Sequence, residues 1–218
     1  MPNSRPNRVS FTNISATTIK FAAIVSLTIL AACQTTVNGR SIERPSDDEF
    51  PNMSPFVEEQ IIKRIDEIPY LRGRQVVDAC AAIAKIGPGA IPKLQKAAND
   101  SDPMRRTFVM NVLGAIGDRR ALKTLHDALN DSESSVRYEA ARSCTKMGDW
   151  PAGIPVLIAG LSDSSQYSRT LCHDSLRRNT NLDFGYNPKG SDVERNAAAI
   201  QWQNWWKSHE PATIELRR

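Results

Sequence analysis

From residue 55 onward the apolar positions recur with the period of a helix, not that of a strand. Ile91, Leu94 and Ala98 form one stripe, followed after a turn by Phe108, Val109, Val112, Leu113 and Ile116. Leu122, Leu125 and Leu129 stand ahead of Val136, Ala140, Ala141 and Cys144; Ile154, Leu157, Ile158 and Leu161 stand ahead of Leu171, Cys172 and Leu176. A looser unit before these places Val57, Ile61, Ile65 and Ile68 ahead of Val77, Cys80, Ala81 and Ala84. The pattern predicts four helix pairs, with the second helices near 74–86, 103–116, 134–147 and 166–177.

Polar landmarks keep the same register, as an internal repeat requires. Ile86-Gly87, Ile116-Gly117-Asp118 and Met147-Gly148-Asp149 recur at spacings of 30 and 31. Asn99-Asp100-Ser101, Asn130-Asp131-Ser132 and Ser162-Asp163-Ser164 recur at 31 and 32, each with an arginine six positions after the aspartate: Arg106, Arg137 and Arg169. Ser54 before Pro55 and Asp102 before Pro103 predict N-caps followed by a proline whose missing donor costs nothing. Gly87, Gly117 and Gly148 fall where the second helix of a pair must stop, a place that favours the left-handed conformation.

The run from Asp131 through Arg137 to Asp149 resembles short HEAT repeats of the phycobilisome-lyase type, and Asp100 to Asp118 follows the pattern with Phe108, Val109 and Met110 in place of small residues. The resemblance covers about residues 56 to 178. It implies an all-α fold, a short HEAT-like α-solenoid of about four helix pairs occupying residues 55–178, and a role as scaffold without fixing what is bound. It also implies that Asp100, Arg106, Asp131, Arg137, Asp163 and Arg169 form a ladder linking successive turns. The competing reading lines the three arginines along a groove for an anionic ligand.

After Arg178 the periodicity breaks into a turn-rich stretch holding Phe184 and Tyr186, and Ser191-Asp-Val-Glu194 then supplies a capping box. The helix it opens carries Trp202, Trp205 and Trp206 on one face. Residues 179–218 are therefore expected to cap the array, whose last apolar face needs an atypical end unit. The same Phe-Gly-Tyr loop and Trp-x-x-Trp-Trp helix resemble a module that follows HEAT repeats in bacterial envelope proteins, and an aromatic ligand or partner site is the other use of these tryptophans.

Ahead of the repeats, residues 1–32 carry Arg5, Arg8 and Lys20 with no acidic residue, then turn apolar from Phe21 to Ala32. The apolar run is shorter than the roughly twenty residues that cross a hydrocarbon core and is read as a signal segment. Leu30-Ala31-Ala32-Cys33 resembles the lipobox of bacterial lipoproteins, which implies cleavage before Cys33 and a lipid on its sulfur. Two or more acyl chains hold a protein at a membrane where one holds it marginally. By analogy with enterobacterial sorting, Gln34 implies an outer membrane facing the periplasm in a Gram-negative cell. Residues 33–54 are rich in Thr, Ser, Pro and Asp without helical or strand periodicity, and are expected to be a flexible tether.

Charge changes the picture only after the leader is set aside. The 218-residue chain has 28 basic and 24 acidic residues, but three of the basic ones precede Cys33, so the remainder is almost balanced and nucleic acid is not an expected partner. Cys80, Cys144 and Cys172 fall at apolar helical positions; they read as buried thiols or, for the last two, as a bridge between neighbouring repeats. No zinc spacing, Gly-rich phosphate loop or nucleophile elbow occurs, so neither cofactor nor metal is expected. His173 is expected to be a structural residue.

These features point to a non-enzymatic, lipid-anchored scaffold in the cell envelope with a protein partner of unknown identity. Its docking side would be the concave surface of the second helices, with Arg105, Tyr138 and Arg142 as long side chains the fold does not need. The alternatives are a cofactor-handling or lyase-like accessory protein, by analogy with photosynthetic relatives of the repeats, and a cell-wall or polysaccharide binder using Trp202, Trp205 and Trp206.

Overall fold

The computed structural model describes residues 49–209 and the short segments 36–37 and 40–41. The signal segment, Cys33 and most of the expected tether lie outside the described residues. Within the expected tether, Thr36–Val37 pairs antiparallel with Arg40–Ser41. Strands of two residues are too short to show a period, and the Asn38-Gly39 dipeptide between them was the signal to heed.

Four helix pairs follow: α1 (Pro55–Glu67) with α2 (Arg74–Ala84), α3 (Ile91–Ala97) with α4 (Pro103–Ile116), α5 (Leu122–Ala128) with α6 (Ser134–Lys146), and α7 (Trp150–Gly160) with α8 (Gln166–Thr180). A final helix, α9 (Asp192–His209), completes an all-α, HEAT-like array. Ser54 caps α1 by accepting from the Val57 amide at 3.4 Å, and Asp102 caps α4 by accepting from Met104 at 2.8 Å. Gly117 ends α4 at φ +74°, a conformation that side chains with a Cβ rarely take. At the C-terminal end of α8, Asn181 takes the same left-handed role at φ +56°.

The core lies between the two layers of helices in two clusters. The first is mostly aliphatic, running from Ile61 and Ile65 through Ile91, Leu94, Phe108, Val109, Met110 and Leu113 to Cys144. The second begins at Tyr138 and Ile154 and ends on Tyr186, Trp202 and Trp206. Three glycines within helices, the last of them ending α7, set how closely neighbours pack. A Cβ on Gly114 would lie 2.2 Å from Ser143 Oγ, one on Gly153 2.4 Å from the Ala141 carbonyl oxygen, and one on Gly160 2.3 Å from Cys172 Sγ and 2.8 Å from Tyr138 Cε1. Cys144 and Cys172 are free thiols, so the expected alternative of a bridge between them does not form. They are fully buried in different clusters, and burial pushes the Cys144 thiol up to about 12.

The tether expectation needs shortening as well. Arg120 Nη1 donates to the Glu49 carbonyl at 2.8 Å, and its guanidinium covers the Phe50 ring at 4.4 Å. Pro51 and Met53 lie over Gly89, where a Cβ would approach them to 3.1–3.2 Å. Residues 49–53 are thus a strap across the turns that open the second and third helix pairs. Phe50 and Met53 are apolar residues in an otherwise polar stretch, and burying them offsets the entropy of ordering it.

Candidate functional site

The arginine column begins in the turns. In each one the arginine's Nη1 donates to two turn carbonyls: Arg106 to Asp100 (2.8 Å) and Ser101 (3.2 Å), Arg137 to Asp131 (2.7 Å) and Ser132 (2.8 Å), Arg169 to Asp163 (2.7 Å) and Ser164 (2.8 Å). Each aspartate accepts from the amide two residues on, at 2.8, 2.9 and 2.8 Å for Asp100, Asp131 and Asp163. The link to the next repeat differs at every rung. Arg106 grips Asp131 with Nε and Nη2, both at 2.8 Å, and this fork holds the Asp131 carboxyl below the usual carboxylate range. At the next rung Tyr138 Oη, not Arg137, donates to Asp163 at 2.9 Å. At the last, Arg169 Nε donates to the Pro188 carbonyl at 3.0 Å, tying the array to the C-terminal loop.

Two residues expected on the docking side have partners within the fold. Tyr138 is 7% exposed, seated in the space Gly160 leaves, and burial first, then Asp163, raises its phenol to about 12. Arg105 pairs with Asp100 at 3.2 Å and with Asp66 of the first pair at 3.6 Å, so it joins repeats. The partner of Tyr138, and one of the two partners of Arg105, lies in another repeat, beyond what spacing within one helix reveals.

Arg142 does sit on the face formed by the second helices. Its Nη1 donates to Glu139 at 2.7 Å, Asn111 Nδ2 donates to the same carboxylate oxygen at 2.8 Å, and Cys80 Sγ donates to Asn111 Oδ1 at 2.8 Å. A polar chain therefore crosses α2, α4 and α6. Glu139 is almost fully buried, and that desolvation raises its carboxyl above the ordinary range even with Arg142 acting against it. Sequence reasoning missed Asn111, Glu139 and Asp174. Asn111, Arg142 and Asp174 hold one position in successive repeats at spacings of 31 and 32, so polar residues recurring in register were the available signal.

Between α6 and α8 opens a cleft of about 230 Å³, lined by Arg142, Tyr167, Leu171, Asp174 and Arg178 among others. Between α4 and α6 the helices close up at this level: Gly114 lets Ser143 into van der Waals contact, and Ser143 Oγ donates to the Met110 carbonyl at 2.9 Å. Thr145 stands in register with Gly114, and the hydrogen bond across that level is a long one, Asn179 Nδ2 to Thr145 Oγ1 at 3.4 Å.

The tryptophans separate. Trp202 is fully buried and Trp206 7% exposed, both in the second core cluster, while Trp205 is half-buried and stacks on His209 at 5.0 Å. Phe184 meets Trp202 edge-on at 4.8 Å, and Tyr186 Oη donates to the Leu161 carbonyl. This geometry is that of an end cap on α7 and α8. His173 is 5% exposed against the Tyr186 ring, and burial lowers its pKa despite Asp183 at 3.6 Å. Among the described residues no group of His, Cys, Asp and Glu could hold a metal ion, and no helix is long and apolar enough to cross a membrane.

Residues 91–177 match the family model of HEAT repeats. No curated protein matches the chain. Among solved structures it is similar to a chain in the complex of CpcE and CpcF of phycocyanin lyase from Nostoc sp. PCC7120, at 21% sequence identity and a TM-score of 0.47, over 66% of this chain and 98% of that one.

Proposed function

We propose that this chain, with HEAT repeats over residues 91–177, is a non-enzymatic scaffold that offers the face of α2, α4, α6 and α8 to a protein partner, and that a lipid on Cys33 holds it in the cell envelope. The observation that carries the reading is how basic side chains divide between two jobs. Arg105 Nη2 donates to the Asp66 carbonyl, and Arg106 Nε and Nη2 to Asp131, each across a boundary between repeats. Arg142 uses only Nη1 for the fold, while Lys146 and Arg178 are exposed and make no hydrogen bond or ion pair among the described residues. A face that keeps charged donors in water beside a cleft is suited to recognition.

The anchor half of the proposal rests on Leu30-Ala31-Ala32-Cys33 alone. Cys33→Ala is expected to leave an unprocessed precursor without lipid; cleavage at the same place and unchanged detergent partitioning would sink it. The polysaccharide alternative is weakened by the burial of Trp202 and Trp206, which leaves Trp205 as the one half-buried tryptophan of α9 for a sugar to stack on. A likeness at 21% identity transfers no lyase activity to this chain.

The scaffold half is tested by placing a photoreactive residue at Thr170 beside the cleft and, as control, at Lys123 on α5, then irradiating intact cells. A single protein adduct specific to position 170 is expected. Identical adducts from both positions, or none from either, would overturn the reading.

A further inference from the structure

The face of the second helices changes character along the array. Positions in register along it read Cys80, Asn111, Arg142 and Asp174, and, one turn on, Ala84, Ala115, Lys146 and Arg178. The first two pairs are therefore uncharged there, with Val77 64% and Met104 48% exposed. The last two carry three bases and one open acid.

Resting on the scaffold reading above, we infer that the cleft between α6 and α8 takes an extended, acidic segment of a partner protein, with a carboxylate seated between Arg142 and Arg178. Arg142 is prepared for this. Glu139 fixes one of its terminal nitrogens at 2.7 Å and is itself held by Asn111, while Nε and Nη2 make no other hydrogen bond among the described residues. Such an oriented fork is the geometry that takes a carboxylate in bidentate fashion, and the fork of Arg106 does so on Asp131 within this same chain.

Size and charge narrow the occupant further. At about 230 Å³ the cleft is below the roughly 300–1,000 Å³ of small-molecule sites, so it accommodates side chains of a passing segment and not a cofactor. Tyr167, 76% exposed at the rim, and Leu171 offer apolar contact to the residues beside the carboxylate. Asp174 lines the same cleft and would repel a second adjacent carboxylate, which favours acidic residues spaced by neutral ones over an unbroken acidic run. Nucleic acid fits poorly, because Glu139 and Asp174 interrupt the basic positions and no longer basic track continues onto α4 or α2.

The test is fluorescence anisotropy of a labelled (Glu-Ala)4 peptide with the purified full chain. Binding is expected to weaken with added salt, to fall by at least about fivefold in each of Arg142→Glu and Arg178→Glu, and to tighten in Asp174→Asn. Matching thermal melts for Arg178→Glu and wild type exclude misfolding as the cause, since Arg178 is exposed. The inference is overturned if (Glu-Ala)4 does not bind, if the charge reversals leave its affinity unchanged, or if a dT10 oligonucleotide or phosphatidylglycerol vesicles bind more tightly through the same residues. A failed peptide with a persisting adduct at position 170 in cells removes the acidic chemistry and leaves the scaffold. Loss of both removes the scaffold as well.

Discussion

Helix α6 meets α4 on one side and α8 on the other, and it makes the two contacts by different means. Toward α4 a glycine and a serine bring the helices into direct contact, and Asn111 and Glu139 add a hydrogen bond across the seam. Toward α8 Thr145 stands where α4 has the glycine, a cleft opens, and the joint is bridged by Tyr138 reaching Asp163 and by the long bond from Asn179 to Thr145. Repeats that share a pattern of landmarks need not share an interface. The residues between landmarks decide whether a seam is sealed or available to a partner.

If the α8 seam is the looser one, α8 depends on what packs on its other side, and ending the chain at Arg178 is the harshest test. That truncation removes Tyr186, Trp202 and Trp206, aromatics that each bury about 150–250 Å². A loss of several kcal/mol or of solubility is expected in a denaturant titration; unchanged stability would mean that α8 holds by itself. Next in size, Gly114→Val pushes a side chain against Ser143 Oγ and its backbone and is expected to cost about 3 kcal/mol, the upper end for overpacking. Thr170→Leu, beside the cleft, should stay within about 0.5 kcal/mol. Equal effects for the two would erase the contrast between the seams.

The turns give a smaller version of the same contrast. Arg106→Ala leaves Asp131 without its fork and is expected to cost about 2 kcal/mol, whereas Arg137→Ala loses bonds to turn carbonyls and a long cation–π contact with Tyr138 and should cost about 1 kcal/mol. An Arg137→Ala protein less stable than Arg106→Ala would reverse the order of the rungs. The smallest effect is on pH dependence. The carboxyls of Asp131 and Asp118 are lowered chiefly by hydrogen bonds from Arg106 and Arg120, and that of Asp100 by the Asp102 amide. Their stabilisation is full above the unfolded value of about 3.9 and disappears as pH falls through the lower folded values. Glu139 has the opposite sign: burial makes the folded protein hold that proton more tightly, so its ionisation opposes folding as pH rises. Melting temperature against pH should therefore drop steeply below about pH 4, less steeply in Asp131→Asn, and Glu139→Gln should gain stability mainly at neutral pH.

Much of the architecture was legible because it is local. Apolar spacing located every helix pair, and Gly87, Gly117 and Gly148 do adopt positive φ at the stops. The Ser191 to Glu194 box forms as expected, the Ser191 amide donating to Glu194 at 2.8 Å. What escaped depends on contacts between repeats. Gly114 and Gly160 are unremarkable inside a helix until Ser143 or Tyr138 arrives from another one. Tyr138 and Arg105 looked like free side chains because Asp163 and Asp66 are 25 and 39 residues away. Of the face itself, Arg142 was identified by length and exposure, but the buried Glu139 that orients it was not, since a glutamate in a helix ordinarily points to water.

The strap at residues 49–53 governs how a pull would enter the molecule. Tension applied at residue 49 meets Phe50 under Arg120 and Met53 over Gly89. Load then passes into the turns ahead of α3 and α5 together, while α1 and α2 lie inside the clamped loop and are shielded from it. Forced unfolding is governed by rate and not by equilibrium stability. A clasp of this kind can set how long the fold survives a tug while adding little to its resting free energy.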